Sequence, residues 1–380
     1  MYIYAEKIFF QGKMVGPAYL EINNGKFGKI KKEVCEDDYI IDYKDFYVLP
    51  GLVDTHIHGY NGLDIMDDTH TNIVLLSKKL LEVGVTTFIP TLMSTSKDKM
   101  ENVIHDIYKA KRDIKGAKVP GVFLEGPFFS EKYKGAQNNE YFNHPYTSYF
   151  ENLTKDEIGL IKKIAIAPEL KYTEAFIDYC LYNNIVVGLG HSDANFIEAD
   201  KAFAQGAKIG IHTFNGMRKF NSKDPGLLEA IMINDNVYAE LICDGYHIHH
   251  NVLKLFKKIK PKDKIVLVSD NTKLAGLPDG TYDIEGISVQ ISGGICRTSD
   301  GNLAGSTTTL LKSLKNIVEW KIFSLEEAIP LVTSIPAKSI NIDNFYGTIT
   351  ENRSADFIIV DKQLNLENVF INGDLAYEKK

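Results

Sequence analysis

The chain has 380 residues, 44% of them hydrophobic and 24% charged, which is ordinary for a globular protein with a sizeable core. Its formal net charge of −7 argues against nucleic acid or an anionic membrane as the main partner. No apolar run reaches the roughly 18 residues of a membrane span, and the amino-terminal stretch lacks a basic leader with a cleavage site.

Cysteine usage indicates the redox compartment. The four cysteines are far apart and form no CxxC pair: Cys35, Cys180, Cys243 and Cys296. A disulfide framework or a thiolate metal site is therefore not expected. Reduced, mostly buried thiols are typical of the cytoplasm, and we predict a cytoplasmic protein.

The two ends of the chain have the pattern of short strands separated by turns. Residues 1–48 carry turn signals at Gly12 and at Asn23-Asn24-Gly25, and residues 343–380 include the strand-like stretches SADFIIVD and VFINGD. Neither end is long enough to bury a core alone. We therefore predict that both ends join in one small β-sandwich.

Residues 49–342 repeat one pattern, a short apolar or β-branched run followed by a helical stretch. Eight such runs occur, at residues 52–56, 86–89, 122–124, 164–167, 186–189, 209–211, 238–242 and 265–269. Among the helical stretches, TNIVLLSKKLLEVG ends at Gly84, and Ser192 or Asp193 can cap NFIEADKAFAQGA. Eight alternations predict an α/β fold, a (β/α)₈ barrel, with a doubly wound open sheet as the alternative. Residues 279–301 predict a β-hairpin inserted after the eighth strand.

Histidines and carboxylates lie where the predicted strands end. The first run ends in DTHIH, and because residues i and i+2 of a strand share a face, His56 and His58 can both point into the barrel mouth. Four further residues end other runs in the same way: Glu125 the third, His191 the fifth, His212 the sixth and Asp270 the eighth. Barrel enzymes carry their sites at this end, and imidazole with carboxylate suits Zn, Fe, Mn or Co. The sequence therefore predicts a catalytic metal site.

Each of these residues also has an ordinary explanation. A histidine pair in a strand often arises by chance, Glu125 before Gly-Pro can belong to a turn, and Asp270 can cap the next helix. Six such residues at the same end of five predicted strands favour the metal site. Five other histidines are predicted to lie at the surface: His70, His105, His144, His249 and His250.

Motifs along the whole chain carry a family resemblance. They are PGLVDTHIHG (50–59), LEGPF (124–128), APE (167–169), GHSDA (190–194), HTFNGM (212–217), DGYH (244–247), VSDNTKLAGLPDGTY (268–282) and NLAGS (302–306). By these motifs the chain resembles the N-acetylglucosamine-6-phosphate deacetylases of the amidohydrolase superfamily. The HxH pair marks only the superfamily, whereas LEGP, GHxDA, HxxNxM and LAGS together are specific to these deacetylases.

The resemblance implies a divalent metal cofactor, with one or two ions in each subunit. Glu125, His191 and His212 would hold the first ion. His56 and His58 would add a second ion, with Glu125 bridging the two. Zn, Fe, Mn and Co are the candidate metals.

The resemblance also implies the reaction, removal of the acetyl group from N-acetylglucosamine 6-phosphate to give glucosamine 6-phosphate and acetate. Water activated by the metal would attack the acetamide carbon. Asp270, a further candidate metal ligand, would accept the water proton and pass it to the sugar amine. His247 would bind the sugar and stabilise the oxyanion.

Contacts with the substrate follow from the same resemblance. Asn215 and Gly216 would bind the phosphate through backbone groups, and Lys223 of a neighbouring subunit would reach it, which implies a homodimer. The other expected contacts are Ala136 and Gln137 at the sugar and Leu303, Ala304 and Gly305 at the acetyl group.

Two positions depart from the family pattern, which usually has histidine in place of Gln137 and arginine in place of Lys223. Lysine supplies charge without the bidentate fork, and glutamine carries no charge. The galacto epimer and an unphosphorylated sugar therefore stay open as substrates. A cyclic amidase or deaminase is a second enzyme alternative, and a non-catalytic scaffold, which would usually lack metal ligands, is the third.

Overall fold

The computed structural model describes residues 1–284, 287–298, 301, 303 and 305–379. Within them the chain forms a parallel barrel surrounded by helices and a separate mixed sheet beside it. Among the described residues, no helix is both long and apolar enough to cross a membrane.

The separate sheet begins with the amino-terminal strands. These are β1 (Tyr2–Phe10), β2 (Lys13–Val15), β3 (Ala18–Asn23), β4 (Lys26–Lys31) and β5 (Ile40–Pro50). β1 lies between β3, with which it pairs antiparallel, and β5, with which it pairs parallel. Apolar side chains of these strands form a cluster of their own, which includes Ile3, Leu20 and Val48.

Eight parallel strands form the barrel, and a short hairpin follows the first of them. The strands are β6 (Leu52–Ile57), β7 (Gly59–Tyr60), β8 (Leu63–Asp64), β9 (Val85–Met93), β10 (Val122–Glu125), β11 (Ile161–Ile166), β12 (Val186–Leu189), β13 (Ile209–Gly210), β14 (Tyr238–Leu241) and β15 (Ile265–Leu267). β7 pairs with β8, and the other eight follow one another in chain order in one sheet. Each predicted run overlaps one of these eight strands, so the predicted barrel is confirmed.

Backbone hydrogen bonds bring the last barrel strand to the first and nearly close the barrel. The Asp270 N–H donates to His56 O at 2.9 Å, and the His58 N–H donates to Asn271 O at 2.8 Å. These bonds lie just beyond β15, at the carboxyl ends of the strands. The open doubly wound alternative is therefore wrong, and closure joins the chain segments that carry the candidate site.

Helices connect the barrel strands. They are α1 (Thr69–Lys79), α2 (Lys97–Ala110), α3 (Thr147–Thr154), α4 (Thr173–Tyr182), α5 (Phe196–Gln205), α6 (Leu227–Ile233), α7 (His250–Ile259), α8 (Leu310–Glu319), α9 (Leu325–Ala328) and α10 (Ser334–Ser339). Shorter 3₁₀ turns lie at Leu80–Val83, Glu131–Tyr133, Asn139–Tyr141, Lys155–Leu160, Lys262–Lys264 and Ile329–Val332.

The start of α5 differs from its prediction. Asn195, rather than Ser192 or Asp193, caps the helix, because its side chain accepts a hydrogen bond from the Glu198 N–H at 3.0 Å. The Glu198 carboxylate returns a bond to the Asn195 N–H at 2.9 Å, which completes a capping box. The reciprocal pair fixes the helix start at Phe196, two residues after the end of the GHSDA motif.

The remaining strands lie after the barrel. β16 (Gly280–Ile284), β17 (Ile287–Ser292) and β18 (Ile295–Thr298) form an antiparallel sheet, one strand more than the predicted hairpin. β19 (Phe357–Val360), β20 (Leu366–Ile371) and β21 (Asp374–Glu378) join the amino-terminal sheet, in which β19 pairs with β5. The predicted union of the two chain ends is therefore confirmed. The domain boundaries after residues 48 and 342 stay predictions.

The two faces of the barrel strands have different neighbours. On β10, Leu124 packs in the large cluster between strands and helices, whereas Phe123 belongs to a second cluster with Ile89. The Lys163 Nζ lies 3.7 Å from the centre of the Phe123 ring, and the His56 ring lies 4.9 Å from it. Lys163 and His56 therefore share the inner face with Phe123, so polar groups enter the barrel interior below its mouth.

Lys118 links the barrel to the terminal sheet. Its Nζ donates to the two carboxylate oxygens of Asp356 at 2.9 and 2.7 Å and to Asn372 Oδ1 at 2.8 Å. Only 9% of the Asp356 side chain is exposed, so this ion pair is largely shielded from solvent. Such charge-assisted bonds contribute more than the exposed pairs elsewhere on the surface.

We predict that Lys118→Met lowers the free energy of unfolding by about 1.5–3 kcal/mol, the usual range for hydrogen bonds to charged groups. Chemical denaturation measures the change. Lys201→Met is the matched control, because the Lys201–Glu174 pair is mostly exposed. The control should change the free energy by less than about 0.5 kcal/mol. Equal changes in the two variants would show that Lys118 does not stabilise the contact between barrel and sheet.

Candidate metal centre and active site

The six residues predicted to bind metal or transfer protons come together at the carboxyl ends of the barrel strands. Two of them lie within strands, His56 in β6 and Glu125 at the end of β10. The other four follow strands: His58 after β6, His191 after β12, His212 after β13 and Asp270 after β15. All but Asp270, which is partly exposed, are buried.

Their ligating atoms form two overlapping groups. His56, His58 and Glu125 make one group, and Glu125, His191 and His212 make the other. Within each group the ligating atoms all lie within 4.8 Å of one another. Glu125 belongs to both groups, as expected of a carboxylate that can bridge two ions. The described residues therefore offer donors for one or two cations.

The carboxylate of Glu125 lies at the centre of the arrangement. Its Oε1 is 3.1 Å from His212 Nε2, 3.3 Å from His191 Nε2 and 3.4 Å from His56 Nε2. Its Oε2 is 3.4 Å from His58 Nε2. One carboxylate thus faces four imidazole rings inside a pocket that excludes most solvent.

Asp270 lies against the HxH pair. Its Oδ1 is 3.3 Å from His56 Nε2 and 3.2 Å from His58 Nε2. Burial raises the pKa of Asp270, but the charge of His56 and the hydrogen bond from His58 lower it to about 2. Burial lowers the pKa of His56, but the charges of Asp270 and Glu125 raise it to about 10. The negative potential of these carboxylates therefore draws positive charge into the site.

Two of the imidazoles are fixed by main-chain carbonyls. His191 Nδ1 lies 2.8 Å from Tyr133 O, and His212 Nδ1 lies 3.1 Å from Asn215 O. A carbonyl only accepts, so each Nδ1 carries the hydrogen and each Nε2 presents its lone pair to the site. The two Nε2 atoms are only 3.0 Å apart. Two lone pairs at this distance repel each other unless a cation binds both.

Unpartnered atoms in the other group support the same conclusion. His56 Nε2 and His58 Nδ1 are buried without a hydrogen-bond partner among the described residues. Buried polar groups are nearly always paired, and His56 Nε2 lies 3.4 Å from Glu125 Oε1 and 3.3 Å from Asp270 Oδ1, an arrangement that fits a bound cation. Neutral imidazole and carboxylate are the donors that Zn, Fe, Mn and Co accept. The residues present thus fit a divalent metal.

The backbone at the site adopts left-handed conformations. His191 has φ 46°, His212 has φ 29° and Asp270 has φ 50°, each just beyond the end of a strand. Residues with a Cβ rarely occupy this region, at a cost of about 1–3 kcal/mol each. Such strain persists where surrounding structure imposes it, and here it occurs at three candidate site residues at the barrel mouth.

Two glycines allow the main chain to approach the rings. A Cβ on Gly216 would lie 3.1 Å from His191 Nδ1 and 3.2 Å from His212 Cε1. A Cβ on Gly135 would lie 3.2 Å from His191 Cε1. Both glycines have positive φ, 59° and 57°. Gly216, and with it Asn215, therefore lies beside the candidate ligands His191 and His212, and their contact with a phosphate stays a prediction.

The side chain of Gln137 is hydrogen-bonded directly to the candidate ligand Glu125. Its Oε1 accepts a hydrogen bond from the Ser94 N–H at 2.8 Å, which orients the amide so that Nε2 donates to Glu125 Oε2 at 2.9 Å. Only 3% of Gln137 is exposed. Its amide therefore positions the shared carboxylate, and contact with a sugar stays a prediction.

His247 is oriented by Asp244. The ring Nδ1 of His247 lies 2.6 Å from Asp244 Oδ2, and the main-chain N–H of His247 donates to Asp244 Oδ1 at 2.8 Å. Burial raises the pKa of Asp244, but the hydrogen bond and charge of His247 lower it below its ordinary value. The ionised carboxylate therefore holds the imidazole ring through Nδ1.

The other predicted substrate residues are less clearly placed at the site. Ala136 and Lys223 are exposed, and the Lys223 N–H donates to a neighbouring side chain in a local turn. Leu303 forms an isolated bridge to β18, Gly305 packs against the segment after β15, and Ala304 lies outside the described residues. Their contacts with substrate stay predictions.

Two charged residues beside the site are absent from the predicted set. Glu240 on β14 and Lys163 on β11 are completely buried and pair with each other. Glu240 also lies 3.1 Å from His56. The sequence signal for them is a charged residue in or next to an apolar strand. Lysine and glutamate are almost never fully buried without a partner, so two such residues predict a buried pair.

The chain is similar in sequence and structure to known proteins. A family model described as the amidohydrolase family matches residues 47–376. The chain is 33% identical to the N-acetylglucosamine-6-phosphate deacetylase of Vibrio furnissii over 87% of this chain and 83% of that protein. It is 32% identical to the N-acetylgalactosamine-6-phosphate deacetylase of Escherichia coli O157:H7 over 86% of this chain and 87% of that protein.

A solved structure shares the whole architecture. The crystal structure of N-acetylglucosamine-6-phosphate deacetylase from Pasteurella multocida superposes with a TM-score of 0.93 at 25% identity. The superposition covers 98% of each chain, so it includes both the barrel and the terminal sheet.

We predict that Gln137→Leu lowers the free energy of unfolding of chelator-treated protein by roughly 1–3 kcal/mol, because it leaves the Ser94 N–H without its acceptor and removes a hydrogen bond from Glu125 Oε2. Gln363→Leu is the control, since Gln363 is exposed. Denaturant titration of both variants gives the comparison. If the two substitutions have the same small effect, the Gln137 amide does not hold the carboxylate.

Proposed function

The chain belongs to the amidohydrolase family, and we propose that it hydrolyses N-acetylglucosamine 6-phosphate to glucosamine 6-phosphate and acetate. The observation that carries the proposal is the Glu125 carboxylate shared by two groups of ligating atoms, with Asp270 beside it. Relatives that match most of the chain are deacetylases of N-acetylhexosamine 6-phosphates, which supports the same amide chemistry on an amino sugar.

The candidate ligands fit one or two divalent cations. Glu125, His191 and His212 would hold one ion, and His56 and His58 would hold a second with Glu125 shared. A bound ion of this kind supplies a water of lowered pKa and polarises the amide carbonyl. The donor set suits Zn, Fe, Mn and Co alike.

Asp270 is the proposed general base and acid. It borders the HxH pair, and its lowered pKa keeps the carboxylate ionised at neutral pH. The carboxylate accepts a proton from the attacking water and then donates it to the departing sugar nitrogen. A positioned carboxylate can perform both transfers because it does not leave the site between them.

His247 is the proposed contact for the sugar and the developing oxyanion. Asp244 accepts the Nδ1 hydrogen and fixes the direction of the ring, so Nε2 of the neutral ring would accept from a sugar hydroxyl. Stabilising the oxyanion requires the imidazolium form, in which Nε2 also carries a hydrogen and Asp244 balances the charge. Asn215 and Gly216 would bind the phosphate, while Ala136, Leu303, Ala304 and Gly305 would border the sugar and the acetyl group.

The phosphate needs positive charge that the chain as a whole does not offer, since its net charge is −7. Lys223 is exposed, which supports the proposal that it reaches the site of a partner subunit in a homodimer. A cytoplasmic location is proposed as well, because Cys180, Cys243 and Cys296 are buried free thiols.

The galacto epimer is the second candidate substrate. The relative that acts on N-acetylgalactosamine 6-phosphate is nearly as similar to this chain as the relative that acts on the gluco epimer. The two sugars differ only at C4, so the metal centre would act on both in the same way.

Acetate release from N-acetylglucosamine 6-phosphate, N-acetylgalactosamine 6-phosphate and N-acetylglucosamine tests the proposal. We expect the first sugar to have the highest kcat/KM and chelation to abolish activity, with recovery when Zn²⁺ or Co²⁺ is added. His191→Ala should lose most of both metal and activity. The proposal fails if metal-loaded protein releases no acetate from either phosphorylated sugar.

We predict that Asp270→Asn lowers kcat by at least about a hundredfold, the usual lower scale for loss of a positioned acid–base group. Asp263→Asn, at an exposed position, should leave kcat unchanged. Steady-state kinetics and metal content are measured together, because Asp270 is also a candidate ligand. A kcat within a few-fold of wild type at full metal content would assign proton transfer to another residue.

We predict that Lys223→Ala raises KM for the phosphorylated sugar by about ten- to a hundredfold, corresponding to roughly 1.5–3 kcal/mol for a charge-assisted contact. KM for the unphosphorylated sugar should hardly change, and Lys223→Arg should keep or improve binding. Lys219→Ala, a neighbouring exposed lysine, controls for the general loss of charge. Equal losses on both sugars would give Lys223 a structural role instead.

A further inference from the structure

Two opposite charges lie buried in the barrel interior next to His56. Lys163 on β11 and Glu240 on β14 both have completely buried side chains, and the Lys163 Nζ donates to Glu240 Oε1. The Lys163 Nζ also donates to Thr55 O at 3.3 Å and lies over the Phe123 ring. The pair is therefore enclosed by the strands that lead to the candidate site.

A buried ion pair of this kind is not explained by stability alone. Removing two charges from water costs about as much as their attraction returns, and apolar side chains of similar volume often stabilise a core equally well. We therefore expect the pair to act on a side chain that it contacts. That contact is His56, whose Nδ1 lies 3.1 Å from Glu240 Oε2.

The two oxygens of Glu240 have separate partners. Oε1 accepts from Lys163, which leaves Oε2 for His56. An ionised carboxylate only accepts, so the His56 Nδ1 must carry the hydrogen. Nε2 is then the ring atom that would give its lone pair to a cation, on the side of the ring that faces Glu125 Oε1 at 3.4 Å and Asp270 Oδ1 at 3.3 Å.

The remaining ligands are held differently. His191 and His212 are oriented by main-chain carbonyls, which no side-chain substitution removes. Within the HxH pair, His56 has a side-chain partner on Nδ1, whereas His58 Nδ1 has none among the described residues.

We propose that Glu240, held by Lys163, is a positioning residue that fixes the tautomer and direction of His56 and thereby gives the HxH pair its own cation. This inference rests on the proposed function, because the cation is the second of its two ions. Neither Glu240 nor Lys163 touches the substrate in this role. Carboxylates behind metal-binding histidines commonly strengthen metal binding by ten- to a hundredfold.

The experiment compares wild type with Lys163→Met/Glu240→Leu, which replaces both charges by apolar side chains. If the double variant does not fold, Glu240→Gln replaces it, because glutamine keeps the side-chain volume but removes the negative charge behind His56. Lys260→Met is the matched control, because Lys260 is a buried lysine that donates to Ile231 O and Asn234 O away from the site. Each protein is stripped of metal and titrated with Zn²⁺, and bound zinc is measured by elemental analysis after gel filtration.

We expect wild type and Lys260→Met to bind two zinc ions, even where the control unfolds more easily. The double variant should bind the first ion with an affinity within a few-fold of wild type and the second at least about tenfold more weakly. Two ions bound with wild-type affinities by the double variant or by Glu240→Gln would overturn the inference. Parallel weakening of both ions would also overturn it, because a purely structural role predicts that result.

Acetate release, measured on the same samples, separates this inference from the proposed function. Wild type that binds one ion but releases acetate would overturn the role of Glu240 and leave deacetylation standing. The opposite result is that wild type binds two ions and the double variant only one, while neither protein releases acetate. That result would support the role of Glu240 and overturn the proposed deacetylation.

Discussion

The carboxylate of Glu125 faces four imidazole rings within 3.4 Å, and the rest of the site is arranged around this contact. Such a concentration of donors is unfavourable in a buried pocket unless a cation satisfies it. The barrel imposes the arrangement by placing the carboxyl ends of its parallel strands around one mouth. Donors far apart in the chain are thus held at ligand distance by backbone pairing before any ligand arrives.

The same residues close the barrel and form the candidate site. The backbone bonds that join the end of β15 to β6 involve Asp270 and His56, which are themselves site residues. The left-handed conformations of His191, His212 and Asp270 lie where strands give way to loops. The packing on both sides of the sheet stabilises the fold by more than this local backbone strain destabilises it.

The two groups of ligands are supported by different kinds of partner. Main-chain carbonyls hold His191 and His212, whereas a buried side-chain pair stands behind His56. A main-chain partner survives any side-chain substitution at its own position, and a side-chain partner does not. The first group is therefore built into the fold, while the second depends on the identities of two interior residues, Lys163 and Glu240.

The sequence by itself determined the eight strands, the helices between them and the residues at the strand ends, because apolar periodicity and strand termini are local features. It also predicted that both chain ends join in one small β-sandwich, and the structure shows their strands in one sheet. Only the tertiary structure decided the partners of these residues. Glu240 lies 184 positions from His56 and 77 from Lys163, and their contact depends on which side chains face each other across the closed barrel. The bond between Gln137 and Glu125 likewise depends on the path of a loop over the site, which no periodic pattern encodes.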